Sequence, residues 1–247
     1  MLHKYKIDLH NHTVLSPCGG LEMSPMAVIE RAKELGLDII AITDHNSCKN
    51  CQAYHELGKQ SGLVVICGVE IQTMEEIHVV ALFPDVETAM KFDAILYQAL
   101  LPIENNPDYF GDQVIVDKDE NIIGIEERAL INSVVWDFET TVSKVKEFDS
   151  ICFPAHIDAQ VNSVISQLGF LPTNLSIDGI GITARCDIKQ LLLSNSYLEG
   201  YSLIRNSDAH YINDMGSGSC FARLEEATFA ELRRAFLKQD GREIIPA

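Results

Sequence analysis

Tyr5-Lys6-Ile7-Asp8-Leu9-His10-Asn11-His12-Thr13 is the stretch on which the fold turns. Its first half reads as a strand, and its second half places two imidazoles just beyond that strand. Residues two apart in extended chain point to the same side, so His10 and His12 can reach one metal ion. A β/α rhythm continues from there. Ser24-Pro25 reads as an N-cap with proline in the first helical position, and the helix runs through Ile29, Ala32 and Leu35 to a stop at Gly36. Asp38 to Thr43 reads as a buried strand, 47–60 as a helix, Leu63 to Ile71 and Ile77 to Phe83 as further strands. Only five residues separate the last two. A parallel crossover needs about a dozen, so they form an antiparallel pair with Glu70 and His78 at the same end.

The rhythm resumes at Ser150-Ile151-Cys152-Phe153-Pro154-Ala155-His156. A helix around Val161, Val164 and Leu168, a strand from Ile177 to Ile182, a helix from Ile188 to Leu193, a strand from Leu203 to Arg205 and a last helix from Thr228 to Lys238 complete it. Residues 84–149 interrupt the pattern. They carry a helix (Ala89, Phe92, Ile95, Leu96, Ala99), a loop with Pro102 and Pro107, two short strands around a turn at 117–121, and more helix around Trp136. This segment holds no histidine or cysteine and reads as an inserted α+β element, a lid on the core formed by 1–83 and 150–247. A lid that selects substrate suits its position.

The chain has 247 residues, 19 basic and 36 acidic, for a formal charge of −17, and 47% of its residues are hydrophobic. It can bury a sizeable core. No apolar run approaches the roughly 18 residues of a membrane helix, and the first residues lack the apolar stretch of a secretory signal. The seven cysteines are odd in number, which argues against a disulfide scaffold and for a reducing, cytoplasmic setting. So acidic a surface repels polyanions, and no long nucleic acid is expected as a partner unless a site brings its own cations.

Eight histidines lie at 3, 10, 12, 45, 55, 78, 156 and 210. His10, His12, His45, His156 and His210 end or follow predicted strands, and His78 opens one. Asp8, Asp44, Glu70 and Asp208 accompany them. In a barrel-like α/β fold the C-terminal strand ends converge on one face, and imidazoles with carboxylates there suit Zn, Mn or Fe rather than Ca or Mg. Asp8 and Asp44 read as partners that orient imidazoles. Cys48, Cys51 and His55 share a helix face and read as packing. Met215 to Ser219, rich in glycine but without a phosphate-loop lysine, reads as a flexible loop near the site. Neither GxSxG nor a Rossmann fingerprint is present.

Taken in order, Asp8-Leu9-His10-Asn11-His12-Thr13, Ile42-Thr43-Asp44-His45, Gly68-Val69-Glu70-Ile71, His78-Val79-Val80, Pro154-Ala155-His156 and Asn206-Ser207-Asp208-Ala209-His210 resemble the motifs of the polymerase and histidinol phosphatase (PHP) family. The resemblance implies a distorted seven-stranded β/α barrel holding two or three divalent ions. It implies His10, His12, Glu70 and Asp208 at a first ion, Glu70 bridging to a second with His78 and His156, and His45 with His210 at a third. Many relatives supply His or Asp about six residues beyond the HxH. Here Cys18 stands in that place, a soft ligand that suits zinc or iron.

The implied activity is metal-dependent phosphoester hydrolysis of a small phosphorylated substrate, a nucleotide or short oligonucleotide end among them, with attack by a hydroxide held between two ions. Metal binding brings the pKa of water from 15.7 towards about 7. Arg185, which comes after a predicted strand end, offers a planar fork for phosphate, or an ion pair with Asp187. The general acid, the exact substrate and the oligomeric state are not legible. A catalytically silent metal-binding regulatory module and a hydrolase of non-phosphate bonds remain open alternatives.

Overall fold

A computed structural model describes residues 1–246. Along the chain the elements are β1 (His3–Asp8), α1 (Pro25–Glu34), β2 (Ile39–Ile42), α2 (Cys51–Ser61), β3 (Val64–Gln72), β4 (His78–Phe83), α3 (Val86–Ala99), α4 (Pro107–Phe110), β5 (Val114–Val116) and β6 (Ile122–Ile125). Then come α5 (Phe138–Lys146), β7 (Ile151–Pro154), α6 (Val164–Leu168), β8 (Ile180–Ile182), α7 (Ile188–Ser194), β9 (Leu203–Arg205), β10 (Cys220–Leu224), α8 (Phe229–Phe236) and β11 (Glu243–Ile245). The α/β class and the seven-stranded sheet match expectation. The strand order is β11-β10-β1-β2-β3-β4-β7.

Strands β1, β2 and β3 run parallel, as the intervening helices α1 and α2 require. The short link after β3 gives an antiparallel hairpin in which Gln72 faces His78 and Glu70 faces Val80. A separate parallel pair, β8 with β9, packs β8 against β7 and β9 against β11. It thereby bridges the two edges of the main sheet, and the whole curls towards a barrel.

Strand β2, Ile39-Ile40-Ala41-Ile42, is buried throughout because it is covered on both faces. Alternate residues serve two cores. Ile39 and Ala41 join Ile7, Leu9, Val80 and Phe153 in the interior, which α8 plugs with Phe229, Leu232 and Phe236. Ile40 and Ile42 face the outer helices with Val28, Ile29, Tyr54 and Val65. Ala89, Phe92, Leu96, Val134, Phe138 and Val142 from residues 84–149 belong to that same outer core.

Several local expectations need correction. Trp136 lies in the loop before helix α5, which begins at Phe138 and is capped by Asp137, whose side chain accepts from Thr140 N–H. The strand expected over 177–182 shortens to Ile180–Ile182. β10 and β11, which the sequence pattern does not predict, flank β1 on its outer side. No helix among the described residues is long and apolar enough to cross a membrane.

The 215–219 loop is fixed at two points. Gly216 N–H donates to Asp8 at 3.1 Å, and Gly218 lies so close to the Asn206 backbone that a Cβ there would stand 2.0 Å from the Asn206 carbonyl oxygen. Asn206 in turn accepts from Leu9 N–H at 3.0 Å. Gly218→Ala therefore pushes the 206–208 segment off β1. Urea unfolding is expected to show a loss of about 1–3 kcal/mol; a change below roughly 0.5 kcal/mol, the range of an ordinary surface substitution, refutes the close contact.

Candidate metal centre

The C-terminal ends of β1, β2 and β3 deliver His10 and His12, Asp44 and His45, and Glu70. β4 opens with His78, β7 leads to His156, and β9 leads to Asp208 and His210. All the predicted histidine, glutamate and aspartate ligands meet there. Glu70, fully buried, is the hub. Its Oε1 lies 3.1 Å from His10 Nε2, 3.0 Å from His78 Nδ1 and 3.5 Å from His156 Nε2. Its Oε2 lies 3.3 Å from His12 Nε2 and 3.2 Å from His45 Nδ1. Asp208 Oδ1 stands 3.3 Å from His10 Nε2 and 3.1 Å from His12 Nε2.

Three sets of donors are mutually close: His10, His12, Glu70 and Asp208; His45, Glu70 and His78; and His12, His45 and His210. His156 falls outside these sets, with its Nε2 3.3 Å from His78 Nδ1 and 3.5 Å from Glu70 Oε1. Cys18 joins none of these three sets. Burial, reinforced by the negative charge of Glu70, pushes its thiol up to about 12, so it stays protonated at neutral pH without a cation beside it.

These donors crowd together without satisfying one another. His10 Nε2, His45 Nδ1 and both carboxylate oxygens of Glu70 are buried and lack a properly aligned hydrogen-bond partner among the described residues, despite separations of 3.0–3.5 Å. An unsatisfied buried polar group costs about 1–3 kcal/mol. Donors about 2.0–2.2 Å from a shared ion lie roughly 3–3.5 Å from each other, aimed at the ion rather than at their neighbours. The arrangement fits divalent cations in donor type, spacing and unmet valence; the nitrogen-rich set suits transition metals.

The remaining ring nitrogens are held from outside. Ser16 Oγ donates to Asp44 at 2.7 Å, so it must accept from His12 Nδ1 at 2.8 Å. That fixes the tautomer and leaves the His12 Nε2 lone pair for the site. His78 Nε2 lies between Gln72 Oε1 at 3.1 Å and Asn162 Nδ2 at 3.0 Å, which hold the outer edge of the ring and turn Nδ1 towards Glu70, and His210 Nδ1 faces the Asp208 carbonyl at 2.9 Å, which frees Nε2. Asp44 thus acts through Ser16, not on a ring directly. Asp8 does not orient an imidazole: it accepts from the Ser207 amide and hydroxyl and from Gly216 N–H, and so anchors the loop bearing Asp208. Ser16 and Gln72 were not legible as functional, because each is recognisable only through a partner brought up by folding. Asp208 and His156 have φ of 54° and 26°, strained values for residues with a Cβ, and both lie at the site.

Electrostatics follow from this packing. Burial opposes the charge of Glu70, but His10 and His78 outweigh it and hold the carboxyl well below its usual range. Burial also opposes charge on His12, yet Asp208 and Glu70 lift it to about 10. His45, dominated by burial and the neighbouring His12, is pushed well down, and His210 falls to about 4 for the same reasons. His45 and His210 are therefore neutral, as ligands must be.

A cavity of about 550 Å³ opens over the cluster. Arg185 lines it, exposed, while Asp187 caps α7 by accepting from Gln190 N–H. Arg205 reaches the carbonyls of Thr183, Ala184 and Cys186 and braces the loop that carries Arg185. Cys48, Cys51 and Cys67 are buried in the outer core.

The PHP domain family model matches residues 8–164, more than half of the chain. The 5′-3′ exoribonuclease Rnm of Salmonella typhimurium is 40% identical over 84 residues, 32% of this chain and 28% of that protein. Among solved structures, the lesion-specific endonuclease PfuEndoQ from Pyrococcus furiosus superimposes with a TM-score of 0.70 at 18% identity, over 98% of this chain and 58% of that one. Endonuclease Q in complex with a 27-mer duplex bearing an abasic lesion gives 0.69 at 17% identity, with the same coverage. At these identities the likeness is one of fold. The chain spans less than half the length of the sequence relatives it matches.

One expectation is overturned here. Exclusion of long nucleic acid rested on the charge of −17, yet the same fold occurs in a structure with duplex DNA and a sequence relative is an exoribonuclease. Net charge sums the whole surface; it does not set the potential of a cleft lined with cation-binding groups.

The protonation pattern has a measurable consequence. In metal-free protein the His12 proton sits between two carboxylates, with a folded value near 10 against roughly 6.5 unfolded. Its stabilisation is complete below about pH 6.5 and disappears as pH rises through 10. Thermal unfolding of chelator-treated protein is expected to show Tm falling from pH 7 to 10, with much less decline in His12→Gln. Equal declines in the two proteins contradict this account.

Proposed function

The chain belongs to the PHP domain family, and on that premise we propose that it is a metal-dependent hydrolase of phosphate esters, acting on a nucleotide or the end of a nucleic acid strand. The observation that carries the proposal is the inward-facing set of buried donors around Glu70, whose valences the protein leaves unmet. In this reading His10, His12, Glu70 and Asp208 hold a first ion, Glu70 with His78 and His156 a second, and His45 with His210 a third, Cys18 standing by. Bound divalent ions supply Lewis-acid charge and an activated water.

The protein's own groups do the rest. Glu70 presents one oxygen to His10, His78 and His156 and the other to His12 and His45, and so sets the spacing of the site. Ser16 with Asp44 keeps the His12 lone pair pointed inward, and Gln72 with Asn162 turns His78 Nδ1 towards Glu70. Arg185 on the cavity rim receives a non-bridging phosphoryl oxygen, and Arg205 keeps its loop in place. The nucleic-acid part of the proposal draws support from the exoribonuclease and endonuclease Q resemblances.

The test is reconstitution. Apoprotein loaded separately with manganese, zinc or iron is assayed on a nucleoside monophosphate, a short 5′-phosphorylated oligonucleotide, a duplex and simple non-phosphate esters. Phosphate-ester turnover is expected with at least one metal. Glu70→Gln should lower kcat by about 10³ or more, the scale of removing a group that assembles the site. Arg185→Ala should mainly raise KM, by about tenfold. Full metal loading without phosphate-ester turnover sinks the proposal.

A further inference from the structure

The floor of the cavity is the donor cluster, and three separate loops add apolar side chains to its wall. Ala159 and Val161 come from the loop after β7, Ile182 and Ala184 from the end of β8, and Ile131 from the 84–149 segment. Ile131 is the one residue of that segment among those lining the cavity. Its placement is built. Asn46, next to His45, donates its amide to the carbonyls of Leu130 and Asn132, both at 2.8 Å. Gln72, two residues after Glu70, accepts from Val134 N–H at 2.9 Å and donates to Ser133 Oγ at 3.1 Å. Leu130 and Val134 on either side are buried in the outer core. The 130–134 strap is thus tied to the very loops that carry the site, with Ile131 held between two anchors.

We infer that Ile131 and Val161 are specificity-determining residues, which receive a flat, weakly hydrated ring on the non-phosphoryl part of the substrate; the inference rests on the phosphoesterase reading and deepens it. Val161 is 69% exposed, an apolar side chain left in water beside a charged site. A phosphate needs only the ions and Arg185. The volume that remains is walled by Ile131, Ala159, Val161, Ile182 and Ala184, and the polar side chains beside them are engaged elsewhere, Asn162 with His78, Thr183 with Asp158, Asn206 with Leu9 N–H and Ser207 with Asp8, so a polyol's hydroxyls would lose water with little compensation. A ring such as a nucleobase presents a face that these side chains cover at a gain. The cavity is within the size range of small-molecule sites.

The test separates binding from turnover. Manganese-loaded protein is titrated calorimetrically with two uncleavable phosphonates, the analogues of thymidine 5′-monophosphate and of 2-deoxyribose 5-phosphate in which a methylene replaces the ester oxygen. They share the anionic end and the sugar and differ in the base. Wild type is expected to bind the first at least tenfold tighter. Ile131→Asn and Val161→Asn, on different loops and at solvent-accessible positions, polar but uncharged, should each abolish that preference and change the affinity for the sugar phosphonate by less than about twofold. Equal binding of the two analogues by wild type overturns the inference, as does a preference that survives both substitutions. The corresponding cleavable esters are assayed in parallel. Base preference in binding without hydrolysis leaves the apolar wall standing and removes the phosphoesterase reading; equal kcat/KM for both esters, with equal binding, removes the wall and keeps the phosphoesterase.

Discussion

A single carboxylate, that of Glu70, organises the molecule. It is fully buried, and five imidazoles from four other segments of the chain lie within 3.5 Å of its two oxygens. Neutral rings can donate hydrogen bonds to this buried anion, but only protonated rings or cations in the same space balance its charge. The metal-free chain takes the first course, with the proton lodged on His12. Cations offer the second, and satisfy more of the donors at once. The need of one residue for countercharge therefore links the fold to its chemistry.

The scaffold meets this demand by a division of labour between the two sheet faces and the strand ends. Strands β1 to β4 spend their side chains on two apolar cores. Their polar chemistry is confined to residues at or past the last pair of the parallel β1-β2-β3 ladder, or at the start of the returning strand. A parallel arrangement brings those ends to one side. Outer contacts then stop the ends from drifting: Asp44 ties Thr13 to Ser16, and Asp8 ties Ser207 to Gly216. Both aspartates are buried, and burial raises the pKa of each, so their hydrogen-bond donors are what make burial tolerable.

What the sequence revealed and what it hid divide along the same line. The candidate ligands come after strands in the chain, so His10, His12, His45, His156 and His210 announce themselves by local pattern alone. The hairpin position of Glu70 and His78 follows from the length of a link. By contrast, Ser16 is an ordinary loop serine until folding sets Asp44 against it. β10 is a five-residue run with Arg223 inside it, and its pairing with β1 spans more than 200 residues, beyond any local signal. Trp136 and its neighbours carry helical apolar spacing, yet their backbone is used by others: Met74 N–H donates to the Trp136 carbonyl and Val135 N–H to that of Ala99. Tertiary hydrogen bonds there replace the helical ones. The charge argument failed for a related reason, since a sum over 247 residues carries no information about where the cations go.

Strain gives the cluster its final property. Asp208 and His156 adopt positive φ without being glycine, which costs of order 1–3 kcal/mol each. Neither is free to relax. The Asp208 turn is clamped by Asp8 through Ser207 and by the His12 N–H donating to the Ala209 carbonyl at 2.9 Å. His156 is followed by a turn in which its own carbonyl accepts from Ala159 N–H at 2.8 Å. Both side chains are thereby delivered to positions that regular strand or helix geometry would deny them, one beside His10 and His12, the other beside Glu70 and His78. Unmet donors and strained ligands carry the same sign: each makes the metal-free site higher in energy and leaves the ion more to gain by entering. The geometry of the candidate centre is thus fixed in the fold beforehand, and the surrounding hydrogen bonds keep it from being dissipated by local rearrangement.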